Sequence, residues 1–269
     1  MTGRLWKRTK QPVARNVIRI ERRGHVTLFT IERPAVANAL DREAQVELAQ
    51  AFDAFQADDG QWIAILTGAG RHFCAGYDLG SDPQGKAGLP ATGFGGLTAR
   101  FDLHKPVIAA INGPAVGGGF ELALACDIIV AAPEARFALP EAKVGVTALG
   151  GGILRLTRAI GHHAAMSIVL TGRAVGAEEG RRMGFVTEIA EDGDVVAAAL
   201  RWADDILACS PLAVRGSKAV ACAFADADLR EAMDRQWELP AIRALLGSDD
   251  AREGPAAFRE RRPPRWTGA

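Results

Sequence analysis

Cysteine is scarce in this sequence. The four present, Cys74, Cys126, Cys209 and Cys222, stand far apart and form no CxxC pair, which argues against a zinc site or a redox dithiol and fits a reducing cytoplasm. Neither charge is in excess: Lys plus Arg number 32 and Asp plus Glu number 32. No overall field therefore draws the chain toward nucleic acid or a membrane surface, and an anionic partner must be held by local charges. No run approaches the roughly 18 apolar residues of a membrane span, and the basic start MTGRLWKRTKQPVARN leads into no apolar leader segment. With 48% hydrophobic and 24% charged residues over 269 positions, disorder, collagen-like repeats and a disulfide-stapled miniprotein are excluded too. The expectation is a soluble, cytoplasmic, folded chain with room for a sizeable core, no internal repeat and no disordered linker.

What is present alternates between the two regular periods. Val17 to Ile20 and Val26 to Ile31 read as strands around the turn Arg22-Arg23-Gly24-His25. Leu40, Ala44, Leu48, Ala51, Phe52 and Phe55 have helical spacing, opened by Asn38 or Asp41 as cap. Trp62 to Leu66 and Val107 to Ile111 are short apolar runs suited to buried strands, and residues 80 to 96, GSDPQGKAGLPATGFGG, read as a long surface loop. After the glycine loop Gly113 to Gly119 come a helix from about Phe120 to Cys126 and a strand at Ile128 to Ala131. Strand, loop, helix and strand in quick succession predict an α/β fold. Beyond Ile153 helical periodicity dominates, with one strand-like piece at Phe185 to Ile189.

Three segments invite a chemical reading. The loop GPAVGGGFE fails as a dinucleotide fingerprint, because the sixth position counted from Gly117 is Leu122, and it lacks the GK pair of a P-loop. It can be a tight turn and nothing more. Yet Glu121 lies in the first turn of an apolar helix, where burial would raise its pKa into the range of a group that both takes and gives a proton. The glycines before it leave backbone N–H groups at the helix start, where developing negative charge is stabilised. RHFCAGYDL at 71 to 79 can be a plain strand-to-helix connection around Gly76, and Glu141 in RFALPEAKVG an ordinary charge at a helix start after Pro140.

Taken in order, these segments resemble the crotonase (enoyl-CoA hydratase/isomerase) superfamily. The resemblance runs from ERPAVANAL at 32 to 40, through HFCAGYDL, KPVIAAINGPAVGGGFELALACDI and FALPEAKVG, to LTGRAVGAEEGRRMGFV and EGPAAFRERRPPRW, and only the N-terminal tail lies outside it. It implies a crotonase-like spiral of ββα units over 15–200 behind a tail at 1–14, with a helical oligomerisation region over 201–269. It also implies a homotrimer or homohexamer, an acyl-CoA thioester as substrate, and no cofactor or metal.

The resemblance carries roles to particular positions. Tyr77 and Gly118 match the two backbone N–H donors that hold the thioester oxygen as it becomes an enolate, each such donor being worth about 2.7–4 kcal/mol. A side chain at 118 is expected to obstruct that oxygen. Glu121 and Glu141 match the two carboxylates of hydratases, one to deprotonate the water attacking C3 and one to protonate C2. An isomerase can work with the one matching Glu141, so the presence of Glu121 favours hydration or dehydration. The coenzyme A portion is expected along Ala35 to Ala37 and along Ala75, Gly76, Tyr77, Asp78 and Leu79, with Gly117 and Pro140 beside the thioester. Phe258 and Arg261 of a neighbouring subunit would meet the adenine and 3′-phosphate; Arg261 can equally be one solvated charge of the RERRPPR run.

Within the superfamily, GFGGLT at 93 to 98 and FALPEAK at 137 to 143 look most like the carnitinyl-CoA dehydratase branch. A trimethylammonium head group would want an aromatic face or a carboxylate, and the candidates are Phe94 and Asp82. Against that branch, VTALGGG carries Ala148 and an apolar Leu149 after the second glutamate, which favours an aliphatic enoyl chain. Isomerisation or thioester hydrolysis on the same scaffold and a non-catalytic acyl-CoA-binding protein are the competing readings. His162 and His163 have no third ligand at metal spacing, and Cys74 no histidine partner, so both are expected to be structural.

Overall fold

The computed structural model describes residues 16–81 and 88–269; the expected tail and Asp82 lie outside them. The chain opens with an antiparallel hairpin, β1 (Ile18–Arg23) and β2 (Val26–Ile31). Arg23 pairs with Val26, so the turn is only Gly24-His25, shorter than the four residues expected, because Gly24 at φ +59° supplies the conformation that a two-residue hairpin turn requires. Helix α1 (Arg42–Ala57) is capped by Asp41, whose carboxylate accepts from the Ala44 N–H at 2.9 Å. Asn38, the other cap candidate, is instead fully buried at φ +57° and accepts from the Arg33 N–H at 2.9 Å. Its amide donates to the carbonyls of Ala69 (2.9 Å) and His72 (2.7 Å).

From there the chain coils between two sheets. Strand β3 (Ile63–Gly68) and strand β4 (Val107–Ile111) join the first sheet in parallel, and the chain then crosses to the second at β5 (Ala115–Val116) and returns through α2 (Gly118–Ala125). The next turn repeats this: β6 (Ile128–Ala131) extends the first sheet beside β4, and β7 (Arg136–Ala138) pairs with β5 in the second. After α3 (Gly152–Ile160) and α4 (His162–Val169), β8 (Ala174–Gly176) closes the second sheet antiparallel to β7. Helix α5 (Ala177–Met183) leads to β9 (Glu188–Ile189) at the edge of the first sheet. The first sheet therefore has the order β1-β2-β3-β4-β6-β9 and the second β5-β7-β8. This is the expected α/β spiral, and each turn contributes one strand to each wall.

The strand-like run 185 to 189 keeps only its last two residues in the ladder. Phe185 turns inward to pack with Phe120 and Phe137, with ring centroids 5.2 and 5.1 Å apart. Along β4, Val107, Ala109 and Ile111 face the core shared with α1, α2 and the second sheet, while Ile108 and Ala110 face the other side. There Val195, Ala198, Ala199 and Ala203 of α6 (Val195–Leu207) cover them. Four further helices follow, α7 (Pro211–Ala223), α8 (Leu229–Arg235), α9 (Pro240–Leu246) and α10 (Asp249–Glu260). They leave Leu229, Met233, Trp237, Leu246 and Phe258 exposed. Among the described residues no single helix is long and apolar enough to cross a membrane.

The end of the expected surface loop is not on the surface. Phe94, Gly95, Gly96, Leu97 and Thr98 are buried around a short 3₁₀ turn. Gly96 lies so close to α1 that a Cβ there would be 2.2 Å from the Ala49 Cα. Arg100, itself buried, fastens the turn by donating to the Gly96 carbonyl (2.9 Å) and to Asp53 of α1 (2.5 Å).

Candidate active site

The register of the coil explains why distant segments meet. Cys74 bridges to Ala115, and Ala115 pairs with Phe137, so three successive turns stack in order. Tyr77, Gly118 and Pro140 are each the third residue beyond one of these paired positions, and Glu141 follows directly. Parallel pairing therefore sets the two proposed donors and the second carboxylate side by side.

On the first turn, Leu40 N–H donates to the Gly76 carbonyl (2.8 Å) and Asp78 N–H to the Leu40 carbonyl (3.1 Å). In a parallel ladder this directs the Tyr77 N–H to the opposite edge, the one facing Gly117 and Gly118. Contact there is close: a Cβ on Gly76, at φ +92°, would lie 2.7 Å from the Val116 carbonyl oxygen and 2.9 Å from the Gly118 nitrogen. On the second turn, Gly117 N–H is spent on the Ala138 carbonyl (2.9 Å) and its carbonyl accepts from Glu121 N–H (3.0 Å). Gly118 opens α2, and its N–H is among those with no intrahelical acceptor.

The structure adds a packing reason for glycine at 118. A Cβ there would strike the Phe94 ring at 2.7 Å. A side chain at Gly117, at φ +55°, would crowd the second candidate carboxylate, its Cβ sitting 3.1 Å from Glu141 Oε1.

The two carboxylates are held differently. Glu121 is 5% exposed, and its Oε1 accepts from the Gly152 N–H at 2.9 Å. A Cβ at Gly150 would lie 2.5 Å from its Oε2, so the turn 150–152 wraps the carboxyl with backbone alone. Burial raises its pKa, opposed by the N–H groups of Gly152 and Gly150 and by the Arg155 guanidinium. Glu141 begins a 3₁₀ turn, Glu141–Val144, rather than an α-helix. Its Oε2 is buried with no hydrogen-bond partner, and its pKa is raised by burial, opposed by its own backbone N–H, with the charge of Glu121 adding to the rise. Two backbone N–H groups and a guanidinium favour the Glu121 anion, whereas Glu141 has only its own backbone N–H and keeps one buried oxygen unpartnered.

The other expected site residues fall into three places. Ala37 (φ +53°) accepts through its carbonyl from Ala75 N–H at 3.0 Å, which brings the Ala35–Ala37 and Ala75–Leu79 segments together along the site. The Asp78 carboxylate is engaged by Arg33 at 3.2 Å, so it belongs to the framework. Leu149 stands at the rim, 85% exposed. Phe258 and Arg261 lie on and just after α10, Phe258 84% exposed and Arg261 the left-handed cap. The RERRPPR run is less free than its composition implies, since Arg262 is committed to Glu253 (2.5 and 2.9 Å) and to Glu260 (2.6 Å).

Of the two head-group candidates, only Phe94 lies among the described residues. Phe94 is 3% exposed with its ring over Gly118, so it offers no open face to a cation, and Asp82 is outside the described residues. Cys74 is buried and its thiol pushed up to about 12 by that burial, which leaves no thiolate to act as a nucleophile. Among the described residues no cluster of His, Cys, Asp and Glu could hold a metal ion, and His162 and His163 meet edge to face with ring centroids 5.4 Å apart. Sequence reasoning missed the Gly150–Gly152 wrap and Arg155; the only signal was a glycine triplet leading into a helix with an arginine in its first turn.

Comparison with known proteins agrees with this geometry. Residues 21–269 match the model of the enoyl-CoA hydratase/isomerase family. The carnitinyl-CoA dehydratase of Proteus mirabilis is 42% identical over 252 residues, covering 91% of this chain and 96% of that protein. The carnitinyl-CoA dehydratase of Escherichia coli K12 is 40% identical over 257 residues, covering 93% and 98%. Among solved structures, enoyl-CoA hydratase from Mycobacterium tuberculosis H37Rv superposes with a TM-score of 0.89 at 40% identity over 94% of this chain and 99% of that one. The chain therefore belongs to the enoyl-CoA hydratase/isomerase family of the crotonase superfamily and is a hydro-lyase of the hydratase and dehydratase kind.

Proposed function

We propose that the reaction is the reversible addition of water to a trans-2-enoyl-CoA thioester by Glu121 and Glu141. The observation that carries it is the unequal provision for the two carboxyls. Glu121, with backbone donors and a cation acting on it, is the anion; it takes a proton from water as the hydroxyl adds to C3. Glu141, with a buried oxygen left unpartnered, is the acid that protonates C2. The carbonyl oxygen, negative in between, lies between the N–H groups of Tyr77 and Gly118. Acid, base and oxyanion donors are all supplied by the chain, so this reading asks for no cofactor. The charge of Glu121 acts on Glu141, so their titration belongs to the pair.

The coenzyme A portion runs along Ala35–Ala37 and Ala75–Leu79, and a second copy supplies Phe258 and Arg261. The exposed Leu229, Met233, Trp237 and Leu246 support a homotrimer or homohexamer, and the free Cys74, Cys126, Cys209 and Cys222 fit a cytoplasmic setting. For the acyl end, the buried Phe94 and the apolar Leu149 support an aliphatic chain. The second reading, dehydration of carnitinyl-CoA, is favoured by what the relatives are named. Loss of the conjugated enoyl absorbance with crotonyl-CoA and with crotonobetainyl-CoA separates the two. Turnover of neither would overturn the hydration reading.

A further inference from the structure

Arg155 belongs to neither of the donor loops nor to the carboxylate pair, yet it touches what holds both. It lies one turn into α3, the helix whose first N–H, that of Gly152, binds Glu121. Its guanidinium donates to the Thr98 carbonyl at 2.8 Å and reaches the Gly150 carbonyl at 3.5 Å. It passes so close under the turn that a Cβ on Gly151 would be 2.2 Å from Nη1. One planar fork thus joins the turn that wraps Glu121 to the turn that carries Phe94 over Gly118.

Resting on the two-glutamate reading above, we propose that Arg155 is a positioning residue for hydration: its fork fixes the Gly150–Gly152 wrap, and its charge keeps Glu121 the ionised member of the pair. Arginine suits both tasks, because it stays charged when half-buried and its donors point in fixed directions. Lysine could supply the charge but not two donors held apart in one rigid plane.

Few other groups face this arrangement. Glu121 and Cys126 come from α2, Glu141 from the turn after β7, Arg158 from α3 itself and Cys222 from α7. Arg158 is paired with Asp226 at 2.9 Å, Asp127 and Lys218 beside Cys126 are paired with each other at 2.7 Å, and burial drives the Cys126 thiol far upward. The histidines of α4, His162 and His163, are exposed and meet each other edge to face. Among the described residues only Arg155 acts on Glu121 as a cation.

The test is the pH profile of hydration in R155Q and R155K, with E121Q and E141Q as controls and crotonyl-CoA as probe. Without the cation, Glu121 binds its proton more tightly, so the acid limb of kcat/KM should move up by about one pH unit in R155Q. In R155K that limb should stay at the wild-type position while the plateau of kcat falls about tenfold, because the bridge is broken, with KM changed less than about threefold. An unmoved acid limb in R155Q overturns the electrostatic half, and a wild-type plateau in R155K overturns the bridging half. R155K alone decides the second point if R155Q does not fold. Full activity in E121Q would instead overturn the two-glutamate reading, whatever the arginine variants show.

Discussion

At the scale of single residues, the carboxyls are kept for chemistry at some cost in stability. Both Glu121 and Glu141 have folded-state pKa values raised by burial above the ordinary carboxylate value of about 4.3. Between that value and the raised one the folded protein binds more protons than the unfolded chain, so stability falls as pH rises through this window. Glu141→Gln should therefore lose hydration by at least about 10²-fold and yet melt higher than the wild type at pH 8. At pH 4 the two should melt alike. Calorimetry at the two pH values, beside a crotonyl-CoA assay, checks both halves; a variant that melts lower at pH 8 would contradict the unpartnered Oε2. Tyr77→Phe should be nearly silent in the same assay, since the proposed donor is its backbone.

At the scale of elements, legibility followed the length of the repeat. Helix α1 was readable from its helical spacing, and β2, β3 and β4 as short apolar runs long enough to stand out from their turns. The second sheet was not, since β5 has two residues and β7 and β8 three each, too short for any alternation. Its existence decides where Tyr77, Gly118 and Glu141 meet, so the site residues came from motif resemblance and their juxtaposition only from pairing. The burial of Phe94 was hidden for another reason: glycines at 93, 95 and 96 read as loop, whereas here they allow a tight approach to α1 and α2. This gives a test. Gly118→Ala should cost about 1–3 kcal/mol by overpacking against Phe94, and adding Phe94→Leu should restore both melting temperature and turnover. Gly117→Ala should stay inactive in either background. Failure of the double variant to recover would return the obstruction to the thioester side.

At the scale of the whole molecule, zero net charge and a ring of exposed apolar side chains on the last helices leave recognition to a few local groups. Arg262 is tied to Glu253, whereas Arg261 makes no ion pair among the described residues and can meet a phosphate. Arg261→Glu should raise KM for a full coenzyme A thioester at least about tenfold, the scale of one lost charge-assisted contact. It should leave KM for a pantetheine thioester within about twofold, and sedimentation of the active enzyme should show an oligomer. Equal effects on both thioesters would remove Arg261 from the nucleotide. The stacked coil has an evolutionary corollary. The proposed donor, donor with base, and acid arrive on separate turns, so a lineage could exchange the group on one turn while its neighbours keep register, and a hydratase could drift toward other enolate chemistry by point substitution. Insertions obey the opposite rule: one residue added between Cys74 and Tyr77 moves a donor off its turn and ends every reaction that the scaffold supports.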